Sequence, residues 1–255
     1  MKTSKATMIL LSIFTLIIFI MIANTYQPHN IQVTMSNEDS ETPEFPKATK
    51  LPLQFYTETL TNTPLTLQNE EKDLTILATF DIGDISQTFF TDDEDQEFLT
   101  HSYITINQTK YHLGHTLERY DPSSDITLQL SPITLDDTLE IYQWKEIVGA
   151  NYIRTMFLTI DGEVPVVIAE IAGWAFHEDI DNNGNLETVA TVGTVPDTTI
   201  YIWDFDEKQL LAANVNESTQ TEAVTFDAER HIFTLYNKGT QSTYKYENGL
   251  LHPVQ

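Results

Sequence analysis

Beyond residue 50 the apolar positions fall in alternation and in short runs, with almost no helical periodicity. Residues 126–130 (ITLQL) alternate at period two. So do residues 139–144 (LEIYQW), which sets Leu139, Ile141 and Gln143 against Glu140, Tyr142 and Trp144. Residues 74–80 (LTILATF) and 152–160 are rich in the β-branched and aromatic types that favour strands. Residues 103–106 and 111–113 flank a turn at 107–110. Residues 164–170 follow an Asp161-Gly162 turn, and Pro165 suits an edge or first turn better than a strand centre. Further runs at 186–192, 198–205, 209–215, 223–227, 232–236, 242–246 and 250–251 are punctuated by two hairpin signals, Asn237-Lys238-Gly239 and Glu247-Asn248-Gly249. The segment least committed to strand is 57–63, which could open a short helix.

A dozen or more short strands at spacings of roughly 8–12 residues predict an all-β domain. The expected architecture is a β-propeller or partial propeller, with a β-sandwich as the alternative. An internal echo favours the propeller. TLEIYQWK (138–145) and TTIYIWDFDE (198–207) share a Tyr-x-Trp core, with Tyr142 and Tyr201 59 residues apart.

The chain opens differently. Residues 6–23 form an 18-residue apolar stretch, about 27 Å long as a helix at ~1.5 Å per residue, preceded by Lys2 and Lys5. The run is longer than a signal-peptide core of ~7–15 residues, and the best cleavage point, after Ala23, has Met21 at −3. We therefore expect residues 1–23 to be an uncleaved transmembrane anchor with its lysines inside, the alternative being a cleaved signal and a secreted protein. Residues 24–50 are polar, carry Pro28, Pro43 and Pro46, and read as an extracellular linker. Residues 51–255 are then the β domain, held outside the cell by a single membrane pass.

Charge narrows the choice of partner. Against 38 Asp and Glu stand 13 Lys and Arg, for a net charge of −25. No basic patch interrupts this, so phosphate backbones are repelled and nucleic acid is excluded as a partner, whereas cations are attracted. The chain has no cysteine, which rules out a disulfide framework and a lipidated-cysteine anchor, and fits a bacterial surface protein.

The sharpest chemical feature is residues 179–187, DIDNNGNLE. Asp179, Asp181, Asn183 and Glu187 supply side-chain oxygens at positions 1, 3, 5 and 9, Asn185 offers a backbone carbonyl at position 7, and Gly184 permits a tight turn. Hard oxygen donors in this number suit Ca²⁺, which takes 6–8 ligands without strict geometry. The loop is not an EF-hand, because position 12 is Ala190 inside a β-prone run. His112-x-x-His115 lacks a third ligand and reads as incidental. His177, two residues before the loop, reads as a cap on it or as an exposed residue.

Residues 168–205, with this loop leading into an aliphatic strand and then an aromatic–Asp turn, resemble the FG-GAP, integrin-alpha-like or VCBS-type repeat. Asp179, Asp181, Asn183 and Glu187 match its calcium-coordinating side chains, and Asn185 its backbone ligand. Asn183 stands where aspartate is commoner in that repeat. The resemblance implies a propeller-like fold in which calcium stabilises a turn. No phosphate loop, nucleotide fingerprint or serine elbow is present. The expected function is that of a membrane-tethered, calcium-stabilised, non-catalytic domain that binds an extracellular protein or glycan or serves the envelope. The alternative is a carboxylate-based hydrolase of envelope polymer or glycan.

Overall fold

The computed structural model describes residues 49–68, 74–92, 99–117, 128–135, 139–149 and 152–254. The expected anchor and all but the last two residues of the expected linker lie outside them. Among the described residues no helix is long and apolar enough to cross a membrane. The fold is all-β, in four antiparallel sheets, none of which closes on itself.

A strap comes first: β1 (Leu51–Pro52), β2 (Tyr56–Thr59) and β3 (Thr63–Pro64). The 57–63 segment is thus strand and irregular chain rather than helix, the Leu60 and Thr61 amides donating to the Lys208 and Ile168 carbonyls. The first sheet is a four-stranded meander of β4 (Leu74–Ile82), β5 (Ile85–Asp92), β6 (Thr100–Ile106) and β7 (Thr109–Thr116). The second comprises β8 (Ser131–Ile133), β9 (Ile141–Gly149), β10 (Tyr152–Asp161) and β11 (Val164–Ala172). The third is β12 (Trp174–Glu178), β13 (Glu187–Val192), β14 (Asp197–Asp204) and β15 (Gln209–Asn214). The fourth is β16 (Ala223–Asp227), β17 (Ile232–Asn237), β18 (Thr240–Glu247) and β19 (Leu250–Pro253). A single-turn helix, α1 (Val215–Thr219), joins the last two, capped by the Asn214 side chain accepting from the Glu217 N–H at 2.8 Å.

Each meander has its last strand partnered by the strap. β1 pairs with β19, β2 with β15 and β3 with β11, and Leu67 bridges to Tyr111 on β7. Pro165 sits second in β11, on the edge the strap covers, where its carbonyl accepts from the Leu65 N–H at 2.9 Å. A proline is tolerated there because the strap uses its carbonyl as an acceptor and takes no N–H from it.

Three apolar cores join successive sheets. One joins the first and second through Ile104, Leu113, Trp144 and Leu158. The next joins the second and third through Ile141, Phe157, Ala190 and Leu210. The last joins the third and fourth through Val189, Ile200, Phe233 and Tyr244. Strand β9 lies between two of these cores, so its period-two pattern sorts apolar residues between faces rather than apolar from polar. Ile141 points to the third sheet, and Tyr142 and Trp144 to the first. Alternation there marks two burials, and this is why Gln143 is also buried.

Two expectations need correction. The part of 126–130 that the structure describes, residues 128–130, is not strand. Its groups instead serve neighbours: the Leu128 carbonyl accepts from Trp144 Nε1 at 3.1 Å, and the Leu130 N–H donates to Gln87 Oε1 at 2.6 Å. The 59-residue echo does not mark a repeat unit either. Trp144 lies on the second strand of its sheet and Trp203 on the third of the next. What recurs is the four-stranded meander itself.

Candidate metal centre

The acidic loop connects β12 to β13, and burial shapes it. Ile180 is 4% exposed and belongs to the core between the third and fourth sheets. With Ile180 pinned inward, Asp179 and Asp181 flank it and turn back toward Glu187, the first residue of β13. Asn182 (φ 60°) and Gly184 (φ 93°) reverse the chain in the left-handed region, which Asn and Gly enter most readily.

Backbone amides then fill the loop. Asp179 accepts from the N–H groups of Asn183 (2.9 Å) and Gly184 (3.0 Å). Asp181 Oδ1 accepts from the Asn183 N–H at 3.1 Å, and Asn183 Oδ1 from the Asn185 N–H at 2.7 Å. Two ties reach the fourth sheet. The Asn248 N–H, in the β18–β19 turn, donates to Asp181 Oδ2 at 3.1 Å, and His231, in the β16–β17 turn, meets Glu178 through Nε2 and Oε2. The loop therefore sits where the third sheet docks on two hairpins of the fourth.

Asp179, Asp181 and Glu187 bring one carboxylate oxygen each to within 4.8 Å of one another. Glu187 is 1% exposed, and its Oε2 accepts from the Ile180 N–H at 3.1 Å. Among the described residues no Lys, Arg or His pairs with any of the three acids. Burial, then the charge of Asp181 and to a lesser degree Asp179, push the Glu187 carboxyl up to about 7 against the pull of the Ile180 N–H and of its own backbone N–H. Tyr246, on β18, is pushed up to about 12 by burial, the charges of Glu187 and Asp181 adding to it. The three acids are therefore a group that could hold a metal ion. Opposed oxygens in a calcium shell lie about 4.6–5.2 Å apart, so this all-oxygen set is of a size to share one ion.

Of the five residues expected at the site, three acids converge. Asn183 spends its Oδ1 on the Asn185 amide, and Asn185 stands beside it at the exposed tip of the loop. Sequence reasoning missed Ile180 and Asn248. An isoleucine among acids signals a core anchor, but nothing local says that an Asn-Gly turn 67 residues on will reach Asp181.

His177 is neither exposed nor a cap. Gln143 Nε2 donates to His177 Nε2 (2.8 Å), and His177 Nδ1 meets Thr188 Oγ1 (2.8 Å), which also accepts from Trp203 Nε1 (2.7 Å). Burial first, then the Lys145 charge, lower His177 to about 4, so the ring is neutral in this chain of contacts. A cavity of about 450 Å³ beside the strap, lined in part by Asp161, Phe205, Asp206 and Lys208, is separate from the acidic loop. Comparison with protein-family models, curated proteins and solved structures gave no match to this chain.

Proposed function

We propose that the chain is a membrane-tethered extracellular β domain, non-catalytic, in which a calcium ion held by Asp179, Asp181 and Glu187 fastens the third sheet to the fourth. In this reading Asn183 and the Asn185 carbonyl approach the ion from the loop tip, as in the FG-GAP-like repeat, and the successive four-stranded meanders act as blades of a partial propeller. The apolar run at 6–23 is the anchor and the meanders present a binding surface to an extracellular protein or glycan. The observation that carries the calcium assignment is the convergence of three acids, one of them buried, with no basic residue among the described residues to neutralise them.

The test is thermal melting of the full-length protein in detergent, with calcium or with chelator. Binding to the native state alone adds RT ln(1 + [L]/Kd), about 2.7 kcal/mol at a hundredfold excess over Kd. Calcium should raise the melting temperature, magnesium should do so less, and Asp181→Ala should remove the calcium effect. An equal melt with calcium and with chelator would refute the assignment.

A further inference from the structure

The fold assembles a second cluster of ligating side chains, remote in sequence from the acidic loop. His112 and His115 are three residues apart, which in a regular strand would put them on opposite faces. A bulge prevents that. Tyr103 faces His112 and Ser102 faces Gly114, so Leu113 is the extra residue on β7. Leu113 is 3% exposed in the core shared with the second sheet. Gly114 points the same way, since a Cβ there would lie 2.6 Å from the Trp144 ring. With two consecutive residues turned inward, His112 and His115 both emerge on the outer face of the first sheet.

His101 completes the set. It lies directly opposite His115 in the β6–β7 ladder, with ring centroids 5.9 Å apart, and its centroid is 6.4 Å from that of His112. Phe90 stacks on His101 at 5.4 Å and backs the group with an apolar wall. His115 is exposed and the other two are half-buried, so the cluster opens to solvent on one side.

We propose that His101, His112 and His115 form a binding site for a first-row transition-metal dication, represented by Zn²⁺. Imidazole nitrogens are intermediate donors that suit Zn²⁺, Cu²⁺ and Ni²⁺ rather than Ca²⁺, and three of them leave a position for water. Imidazoles on a tetrahedral Zn²⁺ at ~2.0–2.1 Å have ring centroids about 5 Å apart. The nitrogens are not all within 4.8 Å of one another in this structure. Binding therefore requires rotation about the Cα–Cβ and Cβ–Cγ bonds to bring the three nitrogens onto one ion. The site is independent of the calcium reading and would survive its failure.

The experiment is calorimetric titration of the full-length protein with Zn²⁺ at pH 7.5, in excess Ca²⁺ so that the acidic loop does not compete. One equivalent should bind with Kd below about 10 μM, and His101→Gln, His112→Gln and His115→Gln should each weaken it at least tenfold. Asp181→Ala and His252→Gln, the latter on the fourth sheet, should leave it unchanged. Co²⁺ in place of Zn²⁺ should give the visible bands of a four-coordinate site, lost in His115→Gln. That residue is exposed, so its substitution tests the site even if a half-buried variant fails to fold. Absence of a one-to-one isotherm, or binding indifferent to His115→Gln, would overturn the proposal. So would binding that follows Asp181.

Discussion

Glu187→Gln removes the most buried charge of the acidic loop while keeping its shape and an acceptor for the Ile180 N–H. In the cation-free protein this carboxyl titrates at about 7 rather than at an ordinary 4.5. The folded state then holds the proton more tightly than the unfolded chain. The stability this gives is fully present below pH 4.5, declines as pH rises, and is gone above 7. At about 1.4 kcal/mol per tenfold change in proton affinity, the whole span is about 3 kcal/mol. For a domain of this size, where 1 kcal/mol moves the melting temperature by ~2–4 °C, that is roughly 6–12 °C. Melting curves of wild type and Glu187→Gln, recorded in chelator from pH 4 to 8, should separate by that amount. The variant should gain on the wild type as pH rises, while the other carboxylates, common to both proteins, cancel in the difference. Adding calcium at pH 7.5 should close most of that gap, because only the wild type keeps the ionised ligand. A difference curve flat to within about 1 kcal/mol between pH 4.5 and 7.5 in chelator would refute the burial of Glu187 against its two acidic neighbours.

Three further substitutions probe how the sheets are fixed. Gly173→Ala should cost about 3 kcal/mol or more in urea unfolding, because φ is +102° and the new Cβ would lie 2.5 Å from the Thr191 carbonyl oxygen. Gly162→Ala, with φ +67° and nothing within 4 Å, should cost only the left-handed strain of ~1–2 kcal/mol. Thr188→Val keeps the volume but leaves the Trp203 N–H and a His177 nitrogen without their partner, at about 2–4 kcal/mol in denaturant midpoint. A Thr188→Val loss under 0.5 kcal/mol would show that water takes the hydroxyl's place.

The strands were legible where the chain's own pattern determines them. Residues 223–227 form β16 with the predicted bounds, and both Asn/Lys-Gly hairpin turns occur, with Lys238 and Asn248 at positive φ. The strap was not legible, because its strands are only two to four residues long and owe their extension to edges far along the sequence. Strand β12 escaped for a related reason: Trp174 to Glu178 alternates between a core and an exposed Phe176, an inverted polarity that hides the pattern. At the acidic loop the spacing places Asp179, Asp181 and Glu187 in one short segment, and the fold brings a carboxylate oxygen of each within 4.8 Å of the others. His101 was invisible as a neighbour because only the β6–β7 pairing sets it opposite His115, and a one-residue bulge decides that His112 and His115 share a face.

The strap also fixes an order of assembly. Its pairings shorten steadily along the chain, from 200 residues at Leu51–Leu251 to 44 at Leu67–Tyr111. As the chain is synthesised, the partner of Leu67 emerges first and that of Leu51 last. The strap therefore closes from its C-terminal end, one segment per completed meander, and each closure shortens the loop that the next must span. The widest separation is never closed in a single step, and the loop-entropy barrier that slows non-local β folds is divided into four smaller ones. Until the last hairpin arrives, the amides of Leu51 and Leu53 have no ladder to join, so amide hydrogen exchange during refolding should protect the strap from residue 67 backwards to residue 51.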